Sequence, residues 1–292
     1  ISRCLTTQRN SNDRFGFIIF FLCISHFAFA QIPKGEIANR IVKWTAKTDT
    51  IDTSNFECIY QLNVTDPIKA ETRQSYDILI SGSRYSIFKD YNCYRLDSVI
   101  NTMDKTKITY LEYSKISGKY RNETTDIILR DRQNAEITFY GRVFIDKYKY
   151  KEPQPDFNWQ LSDETKTVCG TLCHKATCSF RGRDWTVWYS DIPVSEGPWK
   201  FGGLPGLILE AEDSTKEIMF TALSLRKMQR PITMENLDYF NTTREKYNKA
   251  LTDFKTDPGK TISSSELAPK DSNGNKIAIP KRRMFFNPIE KE

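Results

Sequence analysis

The residues best suited to chemistry in this sequence form one short cluster, Cys169-x3-Cys173-His174-x3-Cys178. Thiolate sulfur and imidazole nitrogen are zinc ligands, but the spacing is not the C-x2-C of zinc ribbons or fingers. On a strand, Cys169 and Cys173 would share one face while His174 points to the other, so one ion could not easily collect all four. The cluster is therefore a weak metal candidate, and we predict no bound metal or cofactor. Disulfide formation, packed thiols and redox chemistry remain alternatives.

An apolar run from Phe15 to Phe27 follows Arg14 and ends in the small residues Ala28 and Ala30. This pattern is typical of a signal peptide and predicts a mature chain that begins at Gln31. The run is shorter than the roughly 20 residues that a membrane-spanning helix needs, so we expect no transmembrane helix in the mature chain.

Processing would leave an odd number of cysteines in an oxidising compartment, so at least one thiol would stay unpaired within the chain. The candidates for a disulfide or a thiol cluster are Cys58, Cys93, Cys169, Cys173 and Cys178.

Enzyme signatures are scarce in this sequence. The 292 residues include two histidines, His26 and His174, and His26 would leave with the signal peptide. G-x-S-x-G, H-E-x-x-H and Walker A patterns are absent, so we predict a protein that is not an enzyme. A hydrolase that uses a carboxylate pair is the one catalytic alternative. Its candidate residues are Asp184, Asp191, Glu196, Glu210, Glu212 and Asp213.

Short apolar runs rich in β-branched and aromatic residues, separated by turn formers, fill the chain from residue 31 to about residue 227. They predict a mainly β fold: a large antiparallel sheet, a sandwich or a partial barrel. Residues 234–254 carry apolar side chains at helical spacing after Thr233, which predicts one C-terminal helix that covers the sheet. We expect three segments: a leader at 1–30, a single β-rich domain at 31–256, and a loose tail at 257–292 with a final apolar anchor.

Basic residues exceed acidic ones by 43 to 37, which gives a formal charge of +6. The excess is spread along the chain, whereas nucleic-acid-binding proteins usually gather theirs on one face. We therefore expect no nucleic-acid partner.

Glycine and proline concentrate in residues 195–213, SEGPWKFGGLPGLILEAED. The Gly197-Pro198 and Pro205-Gly206 pairs predict tight turns in which proline fixes φ and glycine supplies a positive φ, while Gly202-Gly203 would let the backbone pass close to a neighbour. A phosphate cradle is not expected, since a strand rather than a helix follows the glycines. As a binding surface we select Trp199, Phe201, Gly202, Gly203, Leu204, Pro205, Gly206 and Leu207. A purely structural corner that joins two sheet edges is the alternative.

Residues 203–208 read GLPGLI, and with the flanking sequence they resemble the GLPGLI family of exported Bacteroidetes proteins. The resemblance includes CHKA at 173–176, FRGR at 180–183, Trp188-Tyr189, Ile192-Pro193 and the ending NPIE at 287–290. Cys169 and Cys178 fall outside the pattern.

The resemblance implies a periplasmic or outer-membrane-associated protein whose relatives are often encoded beside TonB-type receptors, and it implies no reaction. We expect an accessory or binding partner of such a receptor or of another envelope protein. A periplasmic carrier that holds an apolar ligand in a curved sheet is the runner-up.

Overall fold

The computed structural model describes residues 35–44 and 46–291, so the predicted leader lies outside the described residues. The chain forms two compact units. Residues 35–44 and 96–121 make up the described part of the small unit, and residues 46–95 and 122–291 that of the large unit.

The small unit is helical. It contains a short 3-10 helix, Gly35–Asn39, the last residues of helix α1 (Tyr91–Asn101) and helix α2 (Tyr110–Ser117). Thr109 and Glu112 form a reciprocal capping box at the start of α2, which satisfies two backbone N–H groups that the helix itself cannot pair. A small apolar core holds the unit together, made of Val42, Leu96, Ile100 and Ile108.

All described strands belong to the large unit. They are β1 (Lys47–Asp66), β2 (Glu71–Gly82), β3 (Tyr85–Asp90), β4 (Ile127–Asp131), β5 (Glu136–Val143), β6 (Asp146–Pro153), β7 (Gln160–Val168), β8 (Thr171–Phe180), β9 (Arg183–Ser190), β10 (Ile208–Asp213), β11 (Ile218–Lys227), β12 (Pro231–Asn236) and β13 (Phe240–Asn241).

In the described part of the chain these strands build one 13-stranded sheet in the order β13-β6-β5-β4-β3-β2-β1-β11-β10-β9-β8-β7, with β12 paired to the start of β1. The pairs are antiparallel except for the short parallel contact between β13 and β6. The mainly β, antiparallel prediction is therefore confirmed, in the form of a large open sheet. The two-residue turns Cys169-Gly170 and Arg181-Gly182 have positive φ at both positions, as hairpin turns of this length require.

One continuous apolar core lies against this sheet and joins strands that are far apart in the sheet order. Phe139 of β5 stacks on Tyr150 of β6 at 4.9 Å, while Trp185 of β9 meets Phe201 edge-on at 4.8 Å. Phe139 also contacts Trp199 at 5.8 Å. These rings belong to one core. The loop between β9 and β10 therefore packs against a face of the sheet to which strands from both halves of the strand order contribute.

The predicted helix at 234–254 is present but shorter, and its start was misplaced. Helix α3 runs from Arg244 to Thr256, with Thr243 rather than Thr233 as the N-cap. Residues 231–236 form β12 instead, because they pair with the first part of β1. Tertiary strand pairing has overridden the helical spacing of the apolar residues.

After α3 the chain continues through helix α4 (Pro258–Ser264) into an irregular segment. Residues 269–282 are almost entirely exposed, and Met284 and Glu290 are buried again. We call residues 283–291 the C-terminal strap. Within the described residues, no helix combines the length and the apolar character that a membrane crossing requires.

Candidate functional site: the Gly/Pro loop and its anchors

Residues 191–207 join β9 to β10, and we call them the Gly/Pro loop. Backbone hydrogen bonds fold the loop back onto its own ends: Ser190 N donates to Leu207 O at 2.9 Å, and Leu207 N donates to Ile192 O at 3.0 Å. A further bond from Ile208 N to Glu196 O, 2.9 Å long, closes the interior of the loop. The loop therefore joins two neighbouring antiparallel strands of the sheet rather than two sheet edges.

The glycines of the loop have two different roles. Gly203 lies in the left-handed region, with φ at +83°. Gly206 has no positive φ, but a Cβ atom there would lie 1.6 Å from Ser190 O and 3.1 Å from Ile192 O. Our expectation that Gly206 supplies a positive φ was therefore wrong; this position needs glycine because another stretch of backbone fills the space of a side chain.

The structure places most of the predicted binding residues in the interior. Trp199 is half-buried, and only two of the eight are exposed. The buried ones are Phe201, Gly202, Leu204, Gly206 and Leu207, and the exposed ones are Gly203 and Pro205. The surface at these two residues is completed by Trp159, whose Nε1 donates to Gly202 O at 2.8 Å. The outward face of the loop is therefore small and formed by rigid residues.

A buried arginine holds the loop from below. Arg130 of β4 is 1% exposed, and its Nη2 donates to the backbone oxygens of Gly197, Trp199 and Phe201. Desolvation lowers the pKa of Arg130 from its ordinary value. Arg130 Nε and Nη1 have no partner in the structure. Because one guanidinium nitrogen binds three carbonyl oxygens, the loop backbone is held in place between residues 197 and 201.

Glu196 anchors the opposite side of the loop. Its Oε1 lies 2.9 Å from Arg132 Nη2 and accepts a hydrogen bond from Ser86 at 2.8 Å. The carboxylate is 2% exposed, so burial is compensated by an ion pair and a hydroxyl donor rather than by water.

Lys200 carries the most deeply enclosed charge of the loop. It is 0% exposed, and its Nζ lies 2.6 Å from Glu152 Oε1 and 2.7 Å from Glu290 Oε1. The Tyr150 hydroxyl lies 3.0 Å from the same nitrogen, which also faces the Trp199 ring at 5.6 Å. The ammonium therefore occupies a cage of carboxylates and aromatic faces.

Two arginines complete this buried charge cluster. Arg181 bridges the same acids through Nη2 to Glu152 at 2.6 Å and through Nη1 to Glu290 at 2.7 Å. Arg244 of α3 lies 3.6 Å from Glu290. Burial acts to raise the pKa of Glu152, but the Arg181 and Lys200 cations outweigh it and hold that pKa below its ordinary value. We call Arg181, Lys200, Arg244, Glu152 and Glu290 the charge cluster.

Two motifs that lie far apart in the sequence, FRGR at 180–183 and NPIE at 287–290, meet at Arg183. The Arg183 guanidinium donates to Asp213 Oδ2 at 2.5 Å, to Asn287 Oδ1 at 2.6 Å and to Pro288 O at 2.8 Å. Both Arg183 and Asp213 side chains are 1% exposed. FRGR at 180–183 and NPIE at 287–290 thus form a single buried contact.

The structure does not bring the residues of the predicted cysteine cluster together into one site. Cys58, Cys169, Cys173 and Cys178 are free thiols, and Cys173 lies opposite Ser190 while His174 lies opposite Tyr189. Cys173 and His174 are neighbours on β8 and therefore point to opposite faces, whereas Cys169 is exposed in the turn before the strand and does not share the buried face of Cys173. Burial raises the pKa of both Cys58 and Cys178 to about 12, which makes these thiols unreactive. Over the described residues, no group of three or more histidine, cysteine or acidic side chains is arranged to hold a metal ion.

The acidic residues considered for a hydrolase take separate partners. Asp191 is exposed and lies 3.6 Å from His174 Nε2. Three others form ion pairs: Glu196 with Arg132, Glu210 with Lys166 and Asp213 with Arg183. Asp184 accepts a hydrogen bond from the Ser179 hydroxyl at 2.5 Å. These carboxylates thus take separate partners.

The segment of the chain that matches a known family overlaps this site. Residues 181–210 match a family model described as "Protein of unknown function (Porph_ging)", a family associated with Bacteroidetes. The matched segment covers the Arg181-Gly182 turn, β9 and the Gly/Pro loop. No curated protein matches the chain.

Among solved structures, PNGF-II is similar in two crystal forms. The P21 form has a TM-score of 0.44 and 16% identity, and the C2 form has a TM-score of 0.44 and 17% identity. Each match covers 77% of this chain and 39% of the PNGF-II chain. No activity is carried over at this level of similarity.

A second buried group lies away from the loop. Asp77 of β2 faces Asp90 of β3 across the ladder, and Asp126 just before β4 accepts a hydrogen bond from the Tyr247 hydroxyl at 3.4 Å. Asp77 is 2% exposed, and its Oδ2 has no partner in the structure. Desolvation raises the pKa of all three carboxyls, to about 6 for Asp90 and Asp126, and Asp90 and Asp126 raise that of Asp77 further.

These raised pKa values predict a stability that falls as pH rises from about 4 to about 6. The folded state holds protons that the unfolded chain releases near its ordinary pKa, so Asp90 and Asp126 each contribute on the order of 2 kcal/mol below that range. Asp126→Asn should flatten the dependence of the unfolding midpoint on pH between 4 and 6. Asp163→Asn, at an exposed position, is the control. An unchanged pH profile in Asp126→Asn would contradict the assignment.

Proposed function

We propose that this chain is an exported, non-enzymatic protein of the cell envelope, of the GLPGLI type, that works as a binding partner. Its partner class is an outer-membrane receptor of the TonB type, as the resemblance at 203–208 and 287–290 implies. The match of residues 181–210 to a family of unknown function supports the family part of this proposal.

One observation carries the binding role. The buried anchors Arg130, Glu196 and Lys200 fix the Gly/Pro loop from inside, so Gly203 and Pro205 form an exposed surface that is already ordered. A surface that loses little conformational entropy on contact favours association.

The hydrolase and carrier alternatives have weaker support. Glu196, Glu210 and Asp213 are each paired with a different cation. The core face of the sheet is filled by large side chains such as Tyr60, Phe139 and Phe220. We therefore keep the binding role as the proposal.

Pro205→Arg tests this role directly. The tagged full-length protein is cross-linked mildly in its native envelope, and the co-purifying proteins are identified by mass spectrometry. A charged, flexible side chain on the contact surface should reduce recovery of the receptor at least tenfold. The free energy of unfolding should change by no more than about 1 kcal/mol, because the position is exposed.

Ile68→Arg is the matched control, since Ile68 is 75% exposed in the turn between β1 and β2. It should leave recovery of the receptor unchanged. Recovery of the wild-type protein alone would refute the partner role, and equal recovery with Pro205→Arg would refute the assigned surface.

A further inference from the structure

The C-terminal strap lies in a groove whose walls come from distant parts of the sequence. At its start, the Arg283 guanidinium binds the Asp66 carboxylate at the end of β1, and Phe286 N donates to the same carboxylate at 2.8 Å. Asp66 is 0% exposed, and these bonds hold its pKa below the ordinary value although burial acts to raise it. The groove therefore recognises the strap by a buried charge and by its backbone.

In the middle of the strap, the groove makes hydrogen bonds that are specific to the side chain of Asn287. Asn287 Nδ2 donates to Thr65 O at 2.7 Å and to Glu217 Oε2 at 2.9 Å, while its Oδ1 accepts from Arg183. The amide is thus used as donor and acceptor at once. Pro288 needs no N–H partner, and its carbonyl accepts from Arg183.

The strap ends in the charge cluster. Glu290 is 8% exposed and contacts Lys200, Arg181 and Arg244. Trp199 Nε1 adds a hydrogen bond to it at 3.2 Å, and Lys291 N donates to Arg181 O at 3.0 Å. Removing the strap would leave Lys200 and Arg181 with one acid, Glu152, while Arg244 would keep Glu245 at 3.1 Å.

The connection that leads to the strap is largely exposed and touches helix α4, where Lys276 Nζ donates to Ser263 O at 2.7 Å and Ile279 lies against Gly259. Residues 269–282 are exposed with the exception of Ile279, and they contain a tight turn in which Gly274 N donates to Asp271 O at 3.0 Å. The strap is therefore held by its own noncovalent contacts, and an exposed tether joins it to the rest of the chain.

We propose that the groove is a self-contained peptide site and that the strap of a second copy of this chain can fill it, giving a segment-exchanged pair. The tether favours the chain's own strap at low protein concentration, because a short tether supplies an effective concentration near the millimolar range. Cutting the tether removes this high effective concentration. Binding of the strap then depends only on the intrinsic affinity of the groove for it.

The test uses the full chain with a specific protease site in place of residues 271–275. After cleavage, isotope-labelled and unlabelled proteins are mixed, taken through one unfolding and refolding cycle, and weighed by native mass spectrometry. Straps should stay bound and should redistribute between the two populations. Uncut chains with two different tags, refolded together at high concentration, should give mixed dimers.

A synthetic peptide of residues 283–291 measures the recognition. In excess it should replace the cleaved strap, and the same peptide with Glu290→Gln should compete at least tenfold more weakly, because charge-assisted hydrogen bonds are lost. The peptide with Lys291→Gln is the matched control, since the Lys291 side chain is exposed, and it should compete like the parent. Straps that never redistribute, or equal competition by the two variants, would overturn the proposal.

Discussion

The Gly206→Ala variant is expected to be the most strongly destabilised single-glycine variant of the Gly/Pro loop. The added methyl group would overlap Ser190 O, a backbone atom that is itself held by the β9–β10 connection. Since backbone cannot move aside as a flexible side chain would, we expect a loss of at least about 3 kcal/mol, at the upper end of what overpacking costs. The measurement is chemical unfolding of the purified variant, with soluble yield as a first readout.

Gly170→Ala separates this clash from the general effect of replacing a turn glycine. Gly170 has φ at +74° and nothing within 4 Å of an added Cβ. It should lose only about 1 kcal/mol, from the left-handed backbone. A Gly206→Ala protein as stable as Gly170→Ala would mean that Ser190 O does not lie against Gly206 in solution.

Lys200→Met is the second substitution with a large expected effect. It keeps the volume of the side chain and removes the ammonium from between Glu152 and Glu290, so two buried carboxylates lose a partner. Breaking a buried ion pair from one side costs roughly 3–5 kcal/mol, and we expect a value near 3 because Arg181 still contacts both acids.

Two further variants test the physical reason. Lys151→Met removes the exposed ion pair with Glu136 and should change the free energy of unfolding by less than about 1 kcal/mol. Adding Glu290→Gln to Lys200→Met removes one of the orphaned charges and should recover part of the loss. If the double variant is less stable than Lys200→Met by the full effect of Glu290→Gln alone, the two residues are not coupled.

The β class could be read from the sequence because strand formation here depends on local signals. Short β-branched and aromatic runs alternate with turn residues, and pairs such as Cys169-Gly170 lie where two-residue hairpin turns occur. The Gly/Pro loop could likewise be predicted as a site of close backbone approach. Gly206 lies against the backbone of Ser190 because β9 pairs with β10. That pairing cannot be read from a local sequence pattern.

The helices show where local reasoning failed. Apolar spacing extended the C-terminal helix back to residue 234, although Thr243 caps it and residues 231–236 pair with β1. Helix α2 was not predicted, yet Thr109 and Glu112 are three residues apart, the sequence signature of the capping box that the structure contains.

The site residues that sequence reasoning missed are buried charges. Lys200 stands between Trp199 and Phe201, and this cation between two aromatic residues was the available signal. Arg130 follows the apolar residues 127–129 but precedes Asp131 and Arg132, so its burial could not be read locally. The partners of Lys200, Glu152 and Glu290, come from strand β6 and the C-terminal strap, so the pairing required the fold.

The strand order divides the large sheet into two ladders, each made of neighbours in sequence, which meet at a single seam. Strands β1 to β6 form one ladder and β7 to β11 the other, and the pairing of β1 with β11 joins them, with Cys58 opposite Leu225. Apart from residues 91–126 between β3 and β4, the connections within each ladder are much shorter than the separation at the seam, which brings together residues more than 150 positions apart. Since contacts of large sequence separation slow folding, we expect the docking of β11 onto β1 to be the slow step in assembling the sheet.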